Sequence, residues 1–305
     1  MKLRLAKPNE ERVIYNWWKE IFAFDDGGYT DYYFQHLYPQ AKTYVLADEQ
    51  DELVSCLNVH PKVIVMNGER FRASMIVGIL TVPKHQHKGH MHELLNGVLK
   101  ILSATELFTL IQAYKDGAYA PFGFEDAYFL RQFIIDQKYL PVMSAAGVST
   151  VVDPEAMKGL YESFIAHFNG AALRNLDDFN GLIEEVKAQK GRILTYTADN
   201  ALKAYALVYP HTSHIDIDEI VYTDTKSLMT LLSALGNSNP RLLCRVSQAE
   251  DLSRLLPNCP MELKTYTAIR INDLALFNTH FKLNVKNTKE ALHAFRAPFW
   301  IRENT

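Results

Sequence analysis

The feature that most constrains the fold is a change of hydrophobic period around one glycine. Before it lie two extended apolar runs, residues 53–66 and 71–82, separated by Asn67-Gly68. That dipeptide between two such runs is a strong hairpin signal, because a two-residue type I′ turn needs positive φ at both positions. Beyond Val82 the apolar residues Met91, Leu94, Leu95, Val98, Leu99 and Leu102 repeat with helical spacing, so a helix is expected from about Gly89 to Ser103. Residues 108–113 then read as a buried strand. A meander followed by a strand–helix–strand crossover predicts a mixed sheet, and the fold class is α/β (α+β).

The rest of the first half supports this. Residues 3–6 read as a short strand. Val13, Ile14, Trp17, Trp18, Ile21 and Phe22 mark a helix that Asp25-Asp26-Gly27-Gly28 breaks. Residues 29–38 read as an aromatic-rich helix, and 43–47 and 127–135 as strands. Near residue 140 the pattern restarts. Asp153-Pro154-Glu155 is a helix start, with an Asp cap and Pro in the first turn. A second helix around 176–186 follows, then strands at 193–197, 201–208 and 215–222, a helix through Leu228 and Leu235, and a strand at 242–246. The second half thus repeats the order of the first. Two tandem mixed-sheet domains are expected, 1–143 and 144–264, with only the first open to a ligand between splayed strands. Residues 265–305 are expected as a short C-terminal appendage.

Composition narrows the function. A chain of 305 residues with 48% apolar content can bury two cores. The net charge of −3 and the dispersed Lys and Arg argue against a nucleic-acid partner. Cys56, Cys244 and Cys259 lack metal-ligand spacing and are expected to be reduced thiols. No apolar run reaches the ~20 residues of a membrane span, and the N-terminus lacks a signal core. A cytoplasmic setting without a membrane partner is expected; self-association is compatible with the sequence.

The chemistry concentrates in the segment from Val82 to Met91, which joins a strand to a helix start. Backbone N–H groups there converge at the positive end of a helix dipole, an arrangement that suits a pyrophosphate. Gly89 permits close approach, and Lys88 and the histidines add donors. An ordinary turn is the alternative. His85, His87, His90 and His92 also invite a metal reading, but no Cys completes a set and only Glu93 adds a nearby carboxylate. No metal is expected.

Gln86-x-x-Gly89-x-Met91 resembles the acetyl-CoA loop of GNAT acetyltransferases, whose pattern is Arg/Gln-x-x-Gly-x-Gly/Ala. Met91 departs at the last position and is similar instead to the Eis-like (enhanced intracellular survival) tandem-GNAT branch. Tyr119-Ala-Pro-Phe122-Gly123-Phe124 resembles the family's Tyr-x-x-x-Gly-Phe segment. In the second half, Leu160-Tyr161, the stretch Gly170 to Arg174, Leu182, Tyr205 and Asp218-Glu219-Ile220 resemble that branch's degenerate second repeat. Thr267 to Leu274 resembles the entry to its sterol-carrier-like domain, shortened here.

The resemblance implies an N-acetyltransferase that moves acetyl from acetyl-CoA to a primary amine of a small polyamine, aminoglycoside-like or peptide acceptor. It implies that the backbone of Leu80, Thr81 and Val82 holds the acetyl and pantetheine arm. Gln86, His87, Lys88, Gly89, His90 and Met91 would cradle the pyrophosphate. Tyr119 would be the general acid, since a phenol with a pKa of about 10 keeps its proton at neutral pH; a packing aromatic is the other reading. By the same resemblance the terminal carboxylate, at Thr305, would reach the site as a catalytic group. Asp25 and Asp26 would meet a cationic substrate, although a solvated turn is the simpler reading of either. The second repeat lacks a Gln-x-x-Gly loop and is expected to be structural. A non-catalytic CoA-binding or scaffold protein on the same fold is the alternative function.

Overall fold

The computed structural model describes residues 1–23, 27–112 and 115–303. It divides into two compact units. Unit 1 comprises Met1–Ala127, Tyr266–Arg296 and the residues from Ile301 on; unit 2 comprises Tyr128–Thr265 and Ala297–Trp300.

Unit 1 begins with strand β1 (Lys2–Leu5), helix α1 (Glu11–Ile21) and the short helix α2 (Tyr29–Tyr32), which runs on through a π turn at Tyr33–Leu37. Strands β2 (Lys42–Ala47), β3 (Leu53–Met66) and β4 (Glu69–Thr81) form an antiparallel meander. Met66 pairs with Glu69 across Asn67 and Gly68, whose φ values of 52° and 82° are those of the expected hairpin turn. Helix α3 (His90–Leu102) then crosses over to β5 (Phe108–Gln112), which lies parallel to β4. Leu94, Leu95, Val98, Leu99 and Leu102 are buried against Leu57, Val59, Ile76 and Ile111, as the 3.6-residue period requires. α1 buries Ile14 and Trp18.

Unit 2 holds strand β6 (Glu125–Asp136, from Tyr128 on), β7 (Val148–Ser149), helices α4 (Pro154–Ile165) and α5 (Leu176–Ala188), and strands β8 (Arg192–Ala198), β9 (Ala201–Pro210) and β10 (Ile215–Tyr222). Helix α6 (Thr225–Gly236) crosses over to β11 (Arg241–Ser247), parallel to β10. Asp153 caps α4 as expected, its carboxylate accepting from Glu155 N–H at 3.0 Å. The core gathers Leu228, Leu231, Leu232 and Leu235 of α6 against Ala206, Val208, Ile217 and Cys244 of the sheet.

The chain then returns to unit 1. Strand β12 (Met261–Ile271) pairs antiparallel with β5 from Thr267 to Ile271, and α7 (Leu274–Phe281) and α8 (Thr288–His293) follow. The strand order is β1-β2-β3-β4-β5-β12 in unit 1 and β6-β11-β10-β9-β8-β7 in unit 2. Each unit is therefore a meander, a parallel pair joined by a helix, and one antiparallel strand drawn from a distant part of the sequence. Residues 127–135, read as closing the first domain, pair instead with β11, and the strand beside β5 comes from beyond residue 260. Residues 266–296, read as an appendage, are part of unit 1. Hydrophobic alternation specifies a strand but not its neighbour, so this pairing was invisible to a local reading. At the end of the chain Trp300 N–H donates to Asn169 O (2.9 Å) within unit 2. Within unit 1, Thr267 Oγ1 donates to Ile301 O (2.8 Å) and Lys62 Nζ pairs with the buried Glu303 (2.7 Å).

Candidate active site

The site is built around the C-terminal half of β4. Its parallel pairing with β5 covers Ala73 to Ile76 and stops there, while pairing with β3 continues to Thr81. Between these points the register shifts: Asn58 faces Val77 but Cys56 faces Leu80, which places a bulge at Gly78 and Ile79. Gly78 has φ +60°, and a Cβ there would stand 2.0 Å from Trp18 Cζ2. The indole, stacked on Tyr33 at 4.4 Å, takes the space a side chain would need. From Val77 to Leu80, β4 keeps β3 on one edge and, among the described residues, has no β5 partner on the other. A strand whose neighbour has diverged is a place where an extended ligand adds its own polar groups. Leu80 is buried on this stretch, and its carbonyl accepts from Ser55 Oγ at 2.6 Å, which fixes the strand from the β3 side.

The loop after β4 ties itself down. Val82 N–H donates to Val54 O (3.1 Å), Gln86 Nε2 to Thr81 O (3.0 Å) and Lys88 Nζ to Lys84 O (3.1 Å). Gln86 thus holds the loop's shape with its side chain. His87 and Gly89 have φ of 61° and 81°. Gly89 is the residue before α3, which has no side-chain cap, and a Cβ on Gly89 would meet no atom within 4 Å. The first-turn amides of His90, Met91 and His92 have no intrahelical partner by the geometry of the α-helix and open onto that clear space at the positive end of the dipole. Partial desolvation and the charges of Lys84 and Lys88 hold the His85 imidazole below its usual pKa, a sign of the positive field in this loop. Open amides at the positive end of a helix dipole suit an anionic group such as a phosphate.

Met91, the departure from the small-residue pattern, packs its side chain onto the α3 core, as do Ile79 and Tyr119. His92 lies 4.7 Å from the Phe122 ring, which joins the start of α3 to the Tyr119 segment. Tyr119 is half-buried beside Phe124, and desolvation raises its pKa above the ordinary phenol value. The loop residues and Tyr119 are thus brought to one region of unit 1. Asp25, Asp26 and Thr305 lie outside the described residues.

Two features escaped the sequence reading. One is the Gly78 bulge; an isolated glycine inside a strand pattern is the signal that marks it. The other is a cleft of about 580 Å³ lined by Val13, Trp17 and Glu20 of α1, by Glu52, and by Pro83 and Lys84 of the loop. Nothing local in the sequence joins those positions.

Unit 2 repeats the framework but fills the site. β10 pairs in parallel with β11 from Ile215 to Ile217 and then bulges between Ile217 and Glu219. Directly after the bulge, Glu219 is buried with Arg174 in a two-pronged ion pair (2.9 and 3.0 Å) and accepts from Tyr205 Oη (2.8 Å). Arg174 also stacks over the Tyr161 ring. The residues that resemble the degenerate repeat therefore satisfy one another. Helix α6 begins with Asp224, whose carboxylate accepts from Ser227 N–H at 2.8 Å and is held below its usual pKa chiefly by that bond. An anionic cap stands where α3 has an uncapped glycine.

Residues 2–127 match the family model described as an acetyltransferase (GNAT) domain. No curated protein matches the chain. Among solved structures, a probable N-acyltransferase from Enterococcus faecalis V583 shares 18% identity, with 90% of this chain and 73% of that one covered and a TM-score of 0.76. Eis1 from Mycobacterium abscessus shares 14% identity over 90% of this chain and 74% of its own, at a TM-score of 0.68. A tandem GNAT protein from the clavulanic acid biosynthesis pathway shares 11% over 89% and 98%, at 0.56. No helix among the described residues is long and apolar enough to cross a membrane. Residues 2–127 thus match a GNAT acetyltransferase domain, in a chain that has the fold seen in Eis1 and in a tandem GNAT protein.

Proposed function

We propose that the chain is an N-acetyltransferase that uses acetyl-CoA through unit 1 and passes the acetyl group to a small primary amine. The observation that carries this reading is the edge of β4 from Val77 to Leu80, which β5 leaves unpaired among the described residues, leading into an uncapped, glycine-initiated helix. Bound acetyl-CoA supplies an activated acetyl thioester. The chain's part is to bind, orient and exchange protons. The amides at the start of α3 and the side chains of His87, Lys88 and His90 bind the diphosphate. The edge of Leu80, Thr81 and Val82 aligns the arm, and N–H groups of that strand stabilise negative charge on the carbonyl oxygen. Tyr119, kept protonated by its partial burial, gives its proton to the departing thiolate.

The acceptor is a small polyamine, aminoglycoside-like or peptide amine. Glu20 in the cleft beside Pro83 supplies negative charge to draw in a cation, alongside the proposed roles of Asp25 and Asp26, while Glu52 is paired with Lys84 at 3.5 Å. Unit 2 is structural, because its own carboxylates occupy the corresponding positions.

Thermal unfolding tests the binding step. Acetyl-CoA at a hundred times its Kd should stabilise the protein by about 2.7 kcal/mol and raise Tm accordingly. Gly89→Glu places bulk and negative charge where the diphosphate docks, so its Tm should not respond to ligand. An undiminished shift in the variant places the ligand elsewhere. A shift in the wild type without turnover on any amine favours a CoA-binding scaffold.

A further inference from the structure

The turn between β9 and β10 in unit 2 gathers three metal-capable side chains that the acetyl-transfer site does not use. His211 N–H donates to His214 O (2.9 Å), which closes a tight loop of His211, Thr212, Ser213 and His214. The two imidazoles stack, with centroids 4.7 Å apart and planes within 19°. Both aim Nε2 at the Asp216 carboxylate: His211 Nε2 lies 3.7 Å from Oδ2 and His214 Nε2 lies 3.7 Å from Oδ1. All three donor atoms fall within 4.8 Å of one another.

Three details separate this cluster from an ordinary polar surface. The distances are too long for hydrogen bonds, which close near 3 Å. They are close to the spacing of two ligands of one ion: donors about 2.0–2.1 Å from zinc stand about 3.3 Å apart along a tetrahedral edge. Asp216 Oδ1 is buried and has no hydrogen-bond partner, although a buried carboxylate oxygen ordinarily has one. Finally, Ser213 Oγ lies 3.0 Å from His214 Nδ1, the outer-shell bond that orients a ligating imidazole and leaves Nε2 to the ion. Arg245 holds the other oxygen, Oδ2, at 3.1 Å and also reaches Asp218 at 3.3 Å. Two carboxylates share one guanidinium, so the neighbourhood keeps a net negative charge for a cation.

We propose that His211, His214 and Asp216 form a binding site for a divalent first-row transition ion of the zinc or nickel class, with one Asp216 carboxylate oxygen and one nitrogen of each imidazole as ligands and water completing the shell. Two imidazoles and one carboxylate suit such ions better than magnesium or calcium, which favour all-oxygen sets. The ion would clamp the β9–β10 turn to the first residues of β10.

Zinc titration of the full chain by isothermal calorimetry tests this, with cobalt absorption as a second readout. The double variant His211→Ala/His214→Ala should bind one equivalent fewer than the wild type. Asp216→Asn should weaken that equivalent at least tenfold. Ser213→Ala, which keeps every ligand, should weaken it about 10–100-fold. The histidines at 85–92 can add a separate zinc equivalent, so the difference between proteins is what is read. Circular dichroism and acetyl-CoA-dependent Tm shifts confirm that each variant is folded. Equal stoichiometry and affinity in wild type and double variant would overturn the proposal.

Discussion

Trp18 and Gly78 occupy one space: the indole lies where a side chain on residue 78 would begin, 2.0 Å from Cζ2. The β4 bulge is thereby locked against α1 at the level where β5 parts from β4. Gly78→Ala should cost about 2–4 kcal/mol, from overpacking and from a non-glycine residue at positive φ. Denaturant unfolding checks this. Adding Trp18→Ala should restore part of the loss, because the two residues couple directly. A Gly78→Ala protein as stable as the wild type would show that the bulge is not held this way.

Tyr119→Phe keeps the ring beside Phe124 and removes the hydroxyl. Turnover should fall by about 10²–10⁴ in kcat, while the acetyl-CoA-dependent Tm shift stays. The raised pKa fixes the sign of the pH dependence. The acid form is present through neutral pH, and activity owed to it should be lost only as pH rises beyond the ordinary phenol value. Near-wild-type kcat, with chemistry as the slow step, would leave Tyr119 a packing residue.

His60 is buried on β3 with Nε2 2.8 Å from Tyr33 Oη, and burial, aided by Lys62, lowers its pKa to about 4. The native state thus keeps it neutral where the unfolded chain, with a pKa of about 6.5, takes up a proton. This group leaves stability untouched above pH ~6.5 and removes it as pH falls towards 4, by about 3 kcal/mol in all. Unfolding free energies from pH 7 to 4 should show a steeper decline in the wild type than in His60→Gln. Parallel curves would contradict the assignment.

In unit 2, Arg174→Met should destabilise by about 3–5 kcal/mol, because it strands the buried Glu219 carboxylate. Arg174→Met/Glu219→Leu should recover most of that loss, since the pair's main role is mutual neutralisation. Chemical denaturation of the three proteins decides. An Arg174→Met loss below 1 kcal/mol would show that water reaches the site.

These contrasts mark what was legible in the sequence. Asn67-Gly68, the stripe from Met91 to Leu102 and the Asp153-Pro154 start each encode their structure within a few residues, and all appear as read. Gly89 was readable for the same reason. The pairing of β5 with β12 was not, because a strand's alternation carries no address for a partner more than 150 residues away. Nor was the Trp18–Gly78 lock, in which one residue's absent side chain makes room for a ring from another element. Tyr161, Arg174, Tyr205 and Glu219 were legible as a resemblance. That they satisfy one another emerged only from their distances.

The central claim is that unit 1 moves an acetyl group from acetyl-CoA to an amine through the β4 edge and the Gly89 loop. Its most direct test is free-thiol release from acetyl-CoA over a panel of polyamines, aminoglycosides and peptide amines, with mass spectrometry of the products. The account predicts amine-dependent thiol release matched mole for mole by an acetylated amine, and its loss in Gly89→Glu. Thiol release that no amine stimulates, or turnover at the wild-type rate in Gly89→Glu, would contradict it.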